Sequence, residues 1–214
     1  MNVFKITFVI VFIFLGQNLF SQKFSFKIQG QYSHYENEHS EKADQKIVFL
    51  CNNDNDITMK FFVVNDTVKN ISIYDKKENK VYFSKGKFVL NNKTDINQKL
   101  SSQKFEYIQI PIDEKTNSNV KISTNIVDGE NIINVKEVIK EKTTYDLYLK
   151  TNKNSKYINT QNFTIGMITH HRIWDIHEIN SEVILESYYL KDNIKTDIYK
   201  LDNIEEVNFE IILK

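Results

Sequence analysis

The sequence predicts an all-β fold, an antiparallel meander, on three observations. Apolar and polar residues alternate at both ends of the chain. Phe24, Phe26, Ile28, Gly30 and Tyr32 interleave with Lys23, Ser25, Lys27, Gln29 and Gln31, and Val207, Phe209, Ile211 and Leu213 interleave with Glu206, Asn208 and Glu210. A period of two is that of a half-buried strand. The runs between these ends are rich in Ile, Val, Phe, Tyr and Thr, which suit a pleated surface and lose rotamer freedom in helices, while the chain holds a single Ala. Turn signals recur at short spacing, which leaves no room for a helical domain.

The elements follow in order. The first 22 residues, MNVFKITFVIVFIFLGQNLFSQ, differ from the rest. Lys5 supplies a positive head, residues 6–15 an apolar run interrupted only by Thr7, and Ser21 a small residue for cleavage before Gln22. This is the layout of a secretory signal peptide over residues 1–21, too short in its apolar run for a comfortable bilayer crossing. No other long apolar stretch follows, so the expected protein is exported, periplasmic or extracellular, with no transmembrane segment in its mature form.

After the strand at the start of the mature chain, strand-length runs occupy 46–51, 57–64, 68–75, 80–84, 105–111, 120–127, 131–140, 144–150, 163–170, 172–179, 182–190 and 194–201. Residues 131–140 are ambiguous in period, and their β-branched residues favour strand. Residues 94–102 predict a short helix, with Thr94 as a cap and Ile96 and Leu100 four apart. Residues 36–45 are polar all round and read as a solvated loop. Pro111 followed by 113–119 is the one place a domain boundary fits. Residues 22–214 therefore read as a single antiparallel β domain, the alternative being two β domains at 22–112 and 119–214. The sheet is expected as an open or closed curved sheet, half-barrel or calycin-like, or as a two-sheet sandwich, with at most one or two short helices. Curling protects the edges that many strands would otherwise expose.

In the C-terminal meander the register can be argued. Asn180-Ser181 suits a two-residue turn between 172–179 and 182–190, and Lys191-Asp192-Asn193 a three-residue loop with Asn193 left-handed. That register sets Trp174, Ile176, Val183, Leu185, Tyr199 and Leu201 on one apolar face, with Leu185 beside Tyr199 and Val183 beside Leu201.

Composition then removes function classes. Lys+Arg and Asp+Glu both number 28, so no net charge attracts nucleic acid or an anionic membrane. Cys51 is the only cysteine, which rules out an internal disulfide, and its place in the run IVFLC suits a small buried thiol. The abundance of Asn, Lys, Ile, Phe and Tyr has the stamp of an A/T-rich coding sequence, so Asn-rich loops, lysine clusters and glycosylation-like triplets carry no weight. No nucleophile elbow, phosphate loop or CxxC pair is present, and no cofactor is implied. Asn52, Asp54 and Asp56 start like a calcium loop, but neither its Gly nor its closing Glu follows. His34 and His39 frame HYENEH, which lacks the zinc-protease order. His171 and His177 are about 20 Å apart in an extended chain and could not share an ion.

Two constellations remain. Arg172 is the single arginine in a chain that writes lysine elsewhere, and its planar fork suits a carboxylate. With Trp174 and Tyr189 it forms a candidate pocket mouth; the cheaper reading pairs Arg172 with an acid at the sheet edge. On the polar face the register sets Asp175 across from Glu186, with His177 two residues along. Like charges about 5 Å apart repel, and a divalent metal on Asp175, His177 and Glu186 would relieve this; two solvated carboxylates beside Lys200 explain it more cheaply.

The leading functional expectation is a binding module of the cell envelope for an apolar or amphipathic ligand such as a lipid. A structural or interaction subunit that meets another envelope protein is the second, and a metal-dependent hydrolase the third.

Overall fold

Nearly every described residue lies in one antiparallel sheet. The structure is a computed structural model that describes residues 22–52, 57–75, 77–89, 96–109, 118–127, 129–139, 142–153 and 182–213. Its strands are β1 (Gln22–Asn37), β2 (Gln45–Asn52), β3 (Ile57–Val64), β4 (Thr67–Asp75), β5 (Lys80–Ser84), β6 (Phe88–Val89), β7 (Glu106–Gln109), β8 (Ser118–Val127), β9 (Glu130–Ile139), β10 (Lys142–Lys153), β11 (Glu182–Lys191) and β12 (Ile194–Leu213). One short helix, α1 (Ile96–Ser101), precedes β7 and packs against β12.

The spatial order is β7-β5-β4-β3-β2-β1-β12-β11-β10-β9-β8, with β6 on β4. The first and last described strands therefore meet in the middle of the sheet, and the other strands follow outward from them in chain order on either side. The expected all-β antiparallel curved sheet is what the protein forms. It is open, since β7 and β8 end the order without pairing each other.

The β1–β12 ribbon explains how one sheet serves more than one core. β12 carries extra residues opposite the Phe26/Ile28 and Gln31/Tyr32 steps of β1. Each such bulge bends its strand and raises the local twist. Beyond the first bulge Phe24 and Phe26 pack with Phe209, Ile211 and Leu213 against Val48, Leu50, Met59, Phe61, Ile71 and Ile73, and Leu100 of α1 joins them. On the other side of the bulge Ile28 and Tyr32 pack with Ile47, Phe49, Cys51 and Val183, beside Tyr199, Leu201 and Ile204. A third cluster joins Ile133, Val135, Leu147, Leu149 and Ile184. β2 feeds two of these cores from its opposite faces, so Ile47 to Asn52 are all buried. Burying each large apolar side chain contributes about 1.5–3 kcal/mol, which concentrates stability on β1, β2 and β12.

Polar side chains fasten the curl. The Tyr32 hydroxyl donates to the Ile184 carbonyl oxygen at 2.8 Å across β12. At the start of β1, Gln22 accepts from the Tyr82 hydroxyl and donates to Asp75 Oδ2 at 3.4 Å, bringing this end over β4 and β5. Reversals use Asn and Asp where glycine is usual. Asn65, Asp66, Asn79, Asp192 and Asn193 have positive φ there, as do Asn70 and Asp197 at register shifts within β4 and β12, a region these two side chains tolerate best after glycine.

Two expectations change. The loop after β11 is the two-residue turn Asp192-Asn193, both residues left-handed, with Lys191 opposite Ile194. Such a turn matches the twist of the flanking strands. Together with a shift between Ser187 and Tyr189, it sets Ser187, not Leu185, across from Tyr199. Val183, Tyr199 and Leu201 nonetheless share one core. The runs 194–201 and 207–213 are one strand, because residues 203–206 continue the pairing with Ile28 to Gln31. The runs at 163–170 and 172–179, the turn at 180–181 and the leader at 1–21 lie outside the described residues. No helix among the described residues is long and apolar enough to cross a membrane.

Candidate functional site

Cross-strand pairing puts Thr58, Tyr74, Val81 and Ile108 on one rung of β3, β4, β5 and β7, and Lys60, Ser72, Phe83 and Glu106 on the next. Residues directly opposite each other share a face, so these eight side chains line one surface. It continues through Phe49 and Ile47 of β2 into the core around Tyr32. Burial fades outward along it: Phe49 is buried, Tyr74, Val81 and Phe83 are half-buried, and Ile108 is exposed.

Lys60 is the exceptional residue on this surface. It is only 6% exposed, and its Nζ lies 5.4 Å from the centroid of the Tyr74 ring. No carboxylate among the described residues forms an ion pair with it. The lysine stem is covered by the sheet while its ammonium lies over an aromatic face, a cation–π contact worth about 1–2 kcal/mol. The position therefore suits an anionic group next to an apolar strip.

A second locus lies at the far end of β1. The His34 side chain is 8% exposed and its ring meets that of Tyr199 at 4.6 Å. Nδ1 bonds Asp44 Oδ1 at 2.6 Å, while Nε2 is buried with no hydrogen-bond partner, 3.5 Å from Asp197 Oδ1. Burial first, then the charge of Asp197, pushes the Tyr199 phenol up to about 12. Asp197 reaches His34 because it sits left-handed at the break in the β11–β12 register.

Of the residues singled out from sequence, Arg172, Trp174, Asp175 and His177 lie outside the described residues. Tyr189 is half-buried, opposite Leu147 and Thr196, and packs on the third core. Glu186 is opposite Lys200 and Lys150 and accepts from Lys195 Nζ at 3.2 Å. Lys195 also lies over the Tyr188 ring, which stacks on Tyr148 with centroids 5.3 Å apart. The Glu186 carboxylate thus has lysine partners of its own. No three His, Cys, Asp or Glu among the described residues gather in a way that could hold a metal. Cys51 is buried as expected, and burial pushes its thiol up to about 12, far from the reactive range.

Lys60 and His34 were both missed. Lys60 lies between Met59 and Phe61 in a strand whose other polar residue is Thr58, a weak sign of an inward cation. His34 gives no such sign, because its neighbours come from a loop and from β12. No protein-family model matches the chain, and a sequence search of curated proteins returns no match.

Proposed function

We propose that the protein is an exported module of the cell envelope that binds an amphipathic ligand, with an anionic head at Lys60 and an apolar body along Tyr74, Val81, Phe83 and Ile108. The observation that carries this reading is the placing of Lys60, a largely covered lysine on an apolar strip whose ammonium lies over the Tyr74 ring and pairs with no described carboxylate. An anion there would gain a charge-assisted contact that no described carboxylate gives Lys60, while the half-buried strip would take the tail. The outer end of the strip supports the reading, since Ile108 is exposed there. Burying a tail of ten methylenes would contribute on the order of 8 kcal/mol before association costs of about 4 kcal/mol or more, so the head contact must supply much of any micromolar affinity.

The test compares a long-chain fatty acid with the alcohol of equal length, by displacement of a fluorescent fatty acid and by native mass spectrometry after gentle purification. The acid should bind at least tenfold more tightly, and Lys60→Met should erase that preference while retaining the alcohol. Equal binding of acid and alcohol by the native chain would refute it.

One observation favours a second reading, an interaction subunit that meets another envelope protein. β8 ends the strand order, and it carries Ile126 at 78% exposed beside the exposed Val127. Such an edge is a template for an added strand. Ile126→Lys should then abolish concentration-dependent association in analytical ultracentrifugation, whereas a native chain that is monomeric throughout would remove this reading.

A further inference from the structure

We infer that His34 and Asp197 form a binding site for one divalent transition-metal ion, with Asp44 orienting the imidazole from behind. A carboxylate only accepts, so the 2.6 Å contact to Asp44 places the proton on Nδ1. In the neutral imidazole this leaves Nε2 as a lone pair, and that atom is buried with no hydrogen-bond partner. It faces a second acceptor, Asp197 Oδ1, at 3.5 Å. Two lone pairs set against each other repel unless a cation lies between them. With metal–nitrogen and metal–oxygen bonds of about 2.0–2.2 Å, tetrahedral coordination puts neighbouring ligand atoms about 3.3–3.6 Å apart, the separation seen here.

The arrangement also has the outer partner that metal-binding histidines use. The ring nitrogen that does not bind metal donates to a carboxylate, which fixes the tautomer and makes the ligand nitrogen more basic. Asp44 does this from the loop after β1, and the Tyr199 ring fixes the plane of the imidazole. One imidazole with one carboxylate selects zinc, manganese, iron, nickel or copper over calcium and magnesium. The side chain of Asp197 is 61% exposed, so water or a ligand group completes the coordination from the solvent side. Two protein ligands make this an open site of modest affinity.

The full chain, purified without a polyhistidine tag, is titrated with Zn²⁺ by calorimetry and with Co²⁺ by visible absorption. One equivalent should bind, with cobalt bands of tetrahedral intensity. Asp197→Asn, at an exposed left-handed position that asparagine accepts, keeps the fold and should weaken binding at least tenfold. Asp44→Asn should weaken it roughly tenfold to a hundredfold through the histidine alone. Absence of any response at millimolar metal, the result if a proton alone joins His34 to Asp197, would overturn the assignment. So would unchanged affinity in Asp197→Asn, which would put the ion elsewhere.

Discussion

Replacing Lys60 with methionine separates what this side chain does for the fold from what it does for a ligand. Methionine keeps an unbranched stem of similar length and removes the charge. Lys60 is 6% exposed with the Tyr74 ring 5.4 Å from its ammonium, so the native chain carries part of a desolvation cost of several kcal/mol. The lost cation–π contact subtracts about 1–2 kcal/mol. The balance is a stabilisation of about 1–3 kcal/mol, a rise in Tm of roughly 3–10 °C for a chain of this size. Urea unfolding should show a higher midpoint at unchanged slope, the sign that stability changed and the denatured state did not. The same variant should lose its preference for a carboxylate head. A lower midpoint would refute the reasoning, because it would mean that the ammonium is already satisfied within the fold and has nothing to offer an anion.

Three further outcomes follow from the packing. Tyr32→Phe leaves the buried Ile184 carbonyl short of a donor and should cost about 1–2 kcal/mol in urea unfolding, with little change in the far-ultraviolet circular dichroism spectrum. The Cys51 thiol is raised from 9.0 to about 12 by burial, so the folded state holds a proton that the unfolded state releases; this stabilising term is full below pH 9 and is lost between pH 9 and 12. Cys51→Ala should flatten that alkaline decline, and in the native chain Ellman's reagent should label Cys51 only after denaturation. At Gly86 a Cβ would come within 1.6 Å of Gln103 Oε1, so Gly86→Ala must displace the amide that donates to Lys99 at the end of α1. The expected loss is about 0.5–1.5 kcal/mol, read as a lower thermal midpoint.

Much of the fold was legible because its signals are local. Alternation in 22–32 and in 207–213 marks which side chains turn inward, and Phe24, Phe26, Phe209 and Ile211 are buried accordingly. The 57–64 and 80–84 strands end where the apolar runs end. Pairing is another matter. β1 and β12 lie at opposite ends of the chain, and nothing in either says that they are neighbours. The 191–193 loop was misjudged by one residue because Asp192 and Asn193 both accept a left-handed backbone, so composition allows either turn. The candidate sites were hidden for the same reason as the pairing. Lys60 is one lysine among many until Tyr74 is brought against it, and His34 gains Asp197 only through a break in a register that the sequence does not display.

The Asn and Asp residues at the chain reversals have a consequence for the denatured ensemble. Glycine at these places would fit the native backbone with less steric cost, but would leave the unfolded chain free to wander through twice the conformational space. Asn65-Asp66 and Asp192-Asn193 narrow that search before any strand has paired. Both connections therefore start partly committed to bending. A sheet whose central seam must wait for the last strand to be made gains from a hairpin such as β3–β4 that zips early, and from a turn before β12 that folds that strand back as soon as it is made.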